Sequence, residues 1–146
     1  MRVSEIMTGN PAYCMPFTKL EDVARMMVEN DCGAIPVVES EETKRPVGVV
    51  TDRDIAVRTV AMGLNPLEMM ADAVMSAPVQ TVEPDTDLHE ALRDLEENQL
   101  RRLVVVDQDG CLCGMVAQAD IARHDEKEVG EMVREVSEPG GGEQAA

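Results

Sequence analysis

The chain has 146 residues and a formal net charge of −16 at pH 7. Because phosphate backbones and anionic membranes are bound by clustered Lys and Arg, this charge excludes nucleic acid and membranes as expected partners. No apolar run is long enough to cross a bilayer and no basic-then-apolar leader opens the sequence, so we expect one compact cytoplasmic domain.

The cysteines show no sign of a secreted disulfide framework, and reduced thiols are expected at Cys14, Cys32, Cys111 and Cys113. Cys111 and Cys113 are separated by one residue, but no second pair lies nearby and the two histidines are scattered. Because structural zinc takes four closed ligands, we expect no metal site. We also expect an aliphatic core, since the chain has eleven Met and one Phe.

The first half of the chain predicts the order strand, helix, strand, strand, helix. A short strand is predicted at 13–15, and Thr18 with Glu21 has the spacing of a helix capping box. A helical stripe follows, and its apolar residues are Leu20, Val23, Ala24, Met27 and Val28. The continuous apolar run at 34–38 predicts a strand buried on both faces.

A third strand at 47–50 leads into a helix that is expected to begin near Thr51. The sequence GLNP at 63–66 is typical of a linker.

The second half predicts the same order of elements. Its strands are expected at 80–82, 103–106 and 112–116, and its last helix near Ala117. The apolar stripe of its first helix consists of Leu88, Ala91, Leu92 and Leu95.

We therefore divide the chain into five segments by their sequence character. These are a first repeat, a linker, a second repeat, a short amphipathic helix and a disordered tail, at 1–62, 63–70, 71–124, 125–137 and 138–146.

The two halves are copies of one unit. Residues 48–55 read GVVTDRDI and residues 114–121 read GMVAQADI, which is the same frame without the hydroxyl of Thr51. Residues 5–8 (EIMT) likewise match residues 73–76 (AVMS). A unit of this size has too little interior to be stable alone, so we expect the copies to share a core.

The start of the helix after Gly48 has the chemistry of a ligand site. Gly48 is predicted to allow the close approach of a ligand, and a helix N-terminus favours phosphate or other polar oxygens. Thr51 offers a hydroxyl there, and Asp54 offers two acceptor oxygens, enough for both hydroxyls of a ribose. The same spacing is that of an N-cap and its acid at the third helical position, which needs no ligand. Spacing alone leaves both interpretations open.

The repeated sequence at 48–55 and 114–121 and the sequence GAIPVV at 33–38 resemble a pair of cystathionine β-synthase (CBS) domains. The resemblance covers about residues 1–124. The resemblance implies a mixed α/β (α+β) fold of two β-α-β-β-α repeats packed about a pseudo-two-fold axis. It also implies adenosine ligands in the cleft between the repeats, such as AMP, ADP, ATP or S-adenosylmethionine, and NADH is a further candidate. The main site would then contain Thr51 and Asp54, and a weaker second site would contain Asp120.

Adjacent arginines just before a buried strand indicate anion recognition in so acidic a chain. By the resemblance, Arg101 or Arg102 reaches the phosphates of a nucleotide held by Thr51 and Asp54. The alternative is a solvated strand entrance in which they pair with Glu96 or Glu97.

In the second site only Gly33 and Ala34 are expected opposite Asp120, which leaves it without a cation. The adenine is expected to lie in an apolar slot formed by Ile35, Pro36, Val49 and Tyr13.

These observations predict a non-catalytic regulatory module that binds an adenine nucleotide and acts on an unknown partner protein. No nucleophile and base are paired, and no Walker-type loop is present, so an enzyme is not expected. The resemblance to CBS pairs, which commonly associate through their exposed helices, also implies a homodimer. The alternative is a ligand-free scaffold for dimerisation or partner docking, in which Thr51 and Asp54 only cap a helix.

Overall fold

The computed structural model describes residues 1–124 of the chain. Within these residues there are six strands, β1 (Thr8–Gly9), β2 (Ala34–Val38), β3 (Pro46–Thr51), β4 (Thr81–Val82), β5 (Arg102–Val106) and β6 (Leu112–Ala117). Three helices lie between them, α1 (Leu20–Asn30), α2 (Asp52–Arg58) and α3 (Leu88–Glu97). A further helix begins at residue 118 and continues to residue 124. The short 3-10 turns are Val3–Glu5, Val60–Met62, Pro66–Glu68 and Ala71–Ala73.

The strands form two sheets, one in each lobe of the molecule. In the first lobe, β2 pairs with β3 in an antiparallel hairpin. In the second lobe the order is β1-β6-β5-β4, in which β5 and β6 form the equivalent hairpin and β4 runs parallel to β5. The mixed α/β class predicted from the sequence is confirmed.

The N-terminal segment of each repeat lies on the other repeat's lobe. Thr8 pairs with Met115 of β6, and Ser76 forms a bridge with Val49 of β3. The backbone N–H of Val3 donates to the Thr86 carbonyl at 2.9 Å. In the same way Ala71 donates to Thr18 at 2.9 Å. The two lobes are therefore held together by a reciprocal exchange of backbone segments.

Each lobe has its own apolar core, and the exchanged segments contribute to it. The first core contains Leu20, Val23, Ile35, Val37 and Val50 together with Ala71 and Val74 from the start of the second repeat. The second core contains Leu88, Ala91, Leu95, Leu103 and Ile121 together with Val3. A third cluster joins Ala34 of the first sheet with Val104 and Met115 of the second. The expectation of a common interior is met by this third cluster and by the exchanged segments.

Gly48 and Gly114 make this exchange possible. A Cβ atom at Gly48 would lie 2.6 Å from the Met75 sulfur and 3.1 Å from the Ser76 carbonyl oxygen. A Cβ atom at Gly114 would lie 2.6 Å from the Met7 sulfur and 3.1 Å from the Thr8 carbonyl oxygen. The prediction that Gly48 makes room for a ligand is therefore corrected, because the space is taken by the crossing segment.

Two local predictions in the first repeat are wrong. The hydroxyl of Thr18 accepts a hydrogen bond from the Met15 N–H at 2.9 Å, while Lys19 is the N-cap of α1, so Thr18 and Glu21 form no capping box. Residues 13–15 form no strand, because only Cys14 pairs, in a single bridge to Val37. Both features depend on the turn into α1 rather than on the pattern of side chains.

The other elements lie close to their predicted positions, including the buried strand at β2 and the helix start at Thr51. The predicted repeat boundaries stay predictions. The segments predicted at 125–137 and 138–146 lie outside the described residues. Within residues 1–124, every helix is too short or too polar to cross a bilayer.

Candidate functional site

The first turn of α2 is fixed by a complete capping box. Thr51 is the N-cap, and its hydroxyl accepts a hydrogen bond from the Asp54 N–H at 3.0 Å. The Asp54 carboxylate in turn accepts one from the Thr51 N–H through Oδ2, also at 3.0 Å. The capping interpretation of this spacing is thus confirmed. It does not exclude a ligand, because the Thr51 hydroxyl proton and the Oδ1 atom of Asp54 take no part in the box.

Asp54 is 9% exposed and lies beside polar groups from its own helix and from the exchanged segment. The Ser76 hydroxyl lies 3.5 Å from both of its carboxylate oxygens. The Arg58 Nε atom lies 3.9 Å from Oδ1. The Arg58 guanidinium also donates to the carbonyl oxygens of Val74 and Met75 at 3.0 Å each. The carboxylate is therefore held in place from both repeats and remains an acceptor.

A cavity of about 400 Å³ opens beside Asp54, between the start of α2 and the start of β5. We call it the first cleft. It contains five of the residues predicted from the sequence, Val49, Thr51, Asp54, Arg101 and Arg102. The other lining residues are Asp52, Arg53, Ser76, Pro78, Val79, Gln80, Gln99, Leu100 and Val104. Residues from both repeats thus meet in one cavity of a size that is usual for a small-molecule site.

The arginines are available to a ligand. Arg101 is exposed and Arg102 is half-buried at the first position of β5. Among residues 1–124, neither side chain takes part in a hydrogen bond or an ion pair, so the predicted alternative of pairing with Glu96 or Glu97 is not observed. Together with Arg53, they place three cations around a cleft that contains two aspartates. This part of a strongly acidic protein is suited to an anion.

Three residues of the predicted adenine slot do not line the first cleft. Ile35 is fully buried in the core of the first lobe, and Pro36 is buried beside it in β2. The Tyr13 ring lies under the Lys44 ammonium group, which is 5.2 Å from the ring centroid. Of that slot only Val49 lines the cavity, where Pro78, Val79, Leu100 and Val104 are the other apolar residues.

A second cavity, of about 410 Å³, lies at the equivalent place in the other repeat. We call it the second cleft, and its lining includes Thr8, Asn10, Asn30, Gly33, Ala34, Arg102, Ala117 and Asp120. Asp120 lies 3.7 Å from Arg123, and Ala117 occupies the place of Thr51. The prediction that this cleft has no basic residue is wrong, because Arg102 lines both clefts.

Ser76 and Arg58 belong to the site, although the sequence reasoning does not identify them. A signal for Ser76 is present in the repeat, since Thr8 occupies the equivalent position and lines the second cleft. Arg58 follows Asp54 by four residues on the same helix, which is the spacing of a side-chain pair. The contacts of Arg58 with Val74, Met75 and Ser76 depend on the exchanged segment.

The cysteines and histidines lie apart from this chemistry. All four cysteines are free thiols. Burial raises the pKa of the Cys14 thiol from its usual 9.0 to about 12, and burial together with the Asp107 carboxylate raises the pKa of Cys113. His89 is exposed on α3. Within residues 1–124, no three His, Cys, Asp or Glu side chains are grouped so that they could hold a metal ion.

Comparison with known proteins finds relatives of similar sequence. The CBS domain-containing protein YhcV of Bacillus subtilis is 38% identical over 120 residues, covering 82% of each chain. An uncharacterized protein of Methanopyrus kandleri is 36% identical over 117 residues, which cover 80% of this chain but only 56% of that protein.

Solved structures show the same fold. The structure of Hypoxic Response Protein I with two coordinated zinc ions superposes with a TM-score of 0.73 at 32% identity, covering 85% of this chain and 98% of that one. The structure of CBSX2 in complex with AMP gives a TM-score of 0.71 at 28% identity, covering 88% of this chain and 98% of that one.

The family profile of the CBS domain matches the sequence twice, at residues 3–59 and 71–127. Both matches contain a hairpin and the helix start that follows it, and the two clefts lie between them. The chain therefore belongs to the CBS-domain family and carries two CBS repeats in tandem.

Proposed function

We propose that this protein is a non-catalytic regulatory module that binds an adenine nucleotide in the first cleft. The observation that carries the proposal is the meeting of Thr51 and Asp54 with Arg101 and Arg102 in one cavity of about 400 Å³. A carboxylate and a hydroxyl at one end and guanidinium groups at the other match the two polar ends of a nucleotide. The AMP complex of CBSX2 supports AMP as the first ligand to test.

In this proposal Asp54 accepts hydrogen bonds from the ribose hydroxyls. Its Oδ1 atom is outside the capping box and has only the longer contacts to Ser76 and Arg58. The capping box keeps the carboxylate at the mouth of α2, so its orientation is fixed before a ligand arrives. Such preorganisation reduces the entropy that is lost on binding.

The phosphate lies toward Arg101 and Arg102. Guanidinium groups form bidentate, charge-assisted hydrogen bonds with phosphate oxygens, and each such bond contributes about 1.5–3 kcal/mol. Because Arg101 has no side-chain partner among the described residues, a phosphate displaces no existing ion pair. The apolar side chains of Val49, Val79 and Val104 are left to contact the base.

Thermal denaturation tests this proposal on the full chain. At a concentration of AMP about one hundred times its dissociation constant, binding stabilises the native state by about 2.7 kcal/mol and raises the melting temperature. Arg101→Gln is expected to abolish most of this shift without changing the melting temperature of the free protein. Arg25→Gln, on the exposed face of α1, is the matched control and should retain the shift. The proposal fails if AMP, ADP, ATP, S-adenosylmethionine and NADH all leave the melting temperature unchanged.

The regulatory role requires a second state or a partner that distinguishes the free from the bound module. Exposed apolar side chains support a homodimer or a docked regulated protein, and they include Val57, Val60, Met62, Leu64 and Leu67. They follow one another along α2 and the two 3-10 turns after it. The free thiols support a cytoplasmic location, where thiols stay reduced. Sedimentation at several protein concentrations tests the dimer, which fails if only the monomer mass is found.

A further inference from the structure

One basic side chain is shared by the two clefts. Arg102 lines both cavities, at the first position of β5. In the sheet it pairs with Ala117, as Ala34 pairs with Thr51 in the first lobe, so Arg102 occupies the place of Ala34. Its side chain is half-buried and, within the described residues, has no ion pair that would hold it on one side.

The two clefts differ in the cationic side chains that they contain besides Arg102. The first cleft also contains Arg53 and Arg101. In the second cleft Arg102 is the one cation among the described lining residues, and Asp120 is the one anion. Arg123 lies 3.7 Å from Asp120 but does not line the cavity. A phosphate in the second cleft therefore depends on Arg102, whereas a phosphate in the first cleft has other cations.

A single guanidinium cannot serve two phosphates equally well. Its planar fork binds one phosphate in a bidentate manner, and its five N–H donors lie in a fixed geometry. A second phosphate close to the first is also opposed by like-charge repulsion. Any such effect on affinity must be reciprocal between the two clefts.

We propose that Arg102 couples the two clefts, so that a phosphate-bearing ligand in the first cleft weakens phosphate binding in the second. This inference rests on the proposed nucleotide site. Loss of a charge-assisted hydrogen bond predicts that the second cleft is weakened at least about tenfold. The protein then binds nucleotides one at a time over a wide range of concentration, with the first cleft filled before the second.

Isothermal titration calorimetry with AMP on the full chain tests the coupling at constant ionic strength. Arg101→Glu puts a carboxylate in place of a guanidinium and so opposes phosphate binding in the first cleft, which is the one of the two clefts that Arg101 lines among the described residues. Asp120→Ala disables the second cleft. The binding event that this variant retains identifies the wild-type binding event of the first cleft. In Arg101→Glu we expect one event from the second cleft, with a dissociation constant at least about tenfold lower than any second event of the wild type. In Arg101→Glu with Arg102→Gln this event should be lost.

Three results would overturn the inference. If the second wild-type event and the Arg101→Glu event have the same dissociation constant, the clefts are independent. If Arg101→Glu binds no AMP, Arg102 does not serve the second cleft. If the wild type itself binds no AMP, the proposed function fails and this inference fails with it. Circular dichroism and the melting temperature of each variant establish that it is folded before it is titrated.

Discussion

The two lobes have the same backbone plan but different clefts. In each lobe a hairpin leads into a helix, and a glycine in the second strand admits the segment that crosses from the other repeat. The first cleft has a capped helix mouth and three arginines. In the second cleft Ala117 replaces Thr51, and Arg102 is the cation that remains among the described lining residues. The comparison teaches that the duplicated backbone provides the fold, while a few side chains at its edges provide the binding chemistry.

The largest expected effect is the loss of a core side chain from either lobe. Leu20 and Leu88 occupy equivalent positions at the start of α1 and α3 and are 1% and 2% exposed. Leu20→Ala and Leu88→Ala should each lower the free energy of unfolding by about 2–5 kcal/mol. Because the lobes exchange backbone segments, urea unfolding should remain a single transition in both variants.

Val28→Ala is the control for these core variants, since Val28 lies on α1 but is 82% exposed. It should change the free energy of unfolding by less than about 0.5 kcal/mol. Two separate unfolding transitions in Leu20→Ala would show that the lobes fold independently, which contradicts the coupling of the lobes through their exchanged segments.

The next largest effect concerns the glycines that admit the crossing segments. Gly48→Ala and Gly114→Ala bring a Cβ atom within 3.1 Å of the carbonyl oxygens of Ser76 and Thr8, respectively. We expect each to lower the free energy of unfolding by about 1–3 kcal/mol, and by similar amounts, because overpacking forces the backbone to shift. Gly9→Ala is the control, since its Cβ atom meets nothing within 4 Å. Urea titration measures all three, and an unchanged stability of Gly48→Ala would contradict the crossing geometry.

The capping box distinguishes the lobes by a smaller amount. Thr51→Ala removes the acceptor for the Asp54 N–H and should cost about 0.5–2 kcal/mol of stability. Ala117→Thr supplies the missing hydroxyl three residues before Asp120 and should stabilise the protein by a similar amount. Thermal denaturation of Thr51→Ala, of Ala117→Thr and of the variant that carries both substitutions measures the two effects. If Ala117→Thr gives no gain, the second lobe lacks the backbone geometry for a cap.

The last effect appears only at high pH and concerns Cys14 of the first lobe. Burial raises the Cys14 pKa from 9.0 to about 12, while Val82 pairs with β5 as Cys14 pairs with β2. Above pH 9 the unfolded chain loses the thiol proton and the folded chain keeps it, so stability falls as pH rises toward 12. Cys14→Val should lose less stability than the wild type in urea titrations over this range. Parallel pH curves would show that the thiol is not buried in solution.

The sequence predicts the parts of this structure that depend on local pattern and on repetition. The apolar run at β2 predicts a buried strand, and Thr51 with Asp54 predicts the capped start of α2, as observed. The resemblance to CBS pairs predicts that Arg101 and Arg102 lie opposite Thr51 and Asp54, and in the structure all four line the same cavity.

The remaining features could not be predicted because they depend on contacts between distant segments. The space beside Gly48 is filled by Met75 and Ser76 from the other repeat, which strand periodicity does not reveal. Arg102 lines both clefts because the start of β5 borders each of them, which the sequence of the strand does not reveal. The adenine slot was predicted wrongly for a different reason. A continuous apolar strand does not indicate which of its side chains face the core, and Ile35 faces the core.

A crystal structure of the full chain with AMP tests the central claim most directly. We expect one nucleotide in the first cleft, with ribose hydroxyls at hydrogen-bond distance from Asp54 and phosphate oxygens at about 2.7–2.9 Å from the guanidinium nitrogens of Arg101 or Arg102. A nucleotide bound elsewhere, or bound in the first cleft with its phosphate away from both arginines, would contradict this assignment of the site.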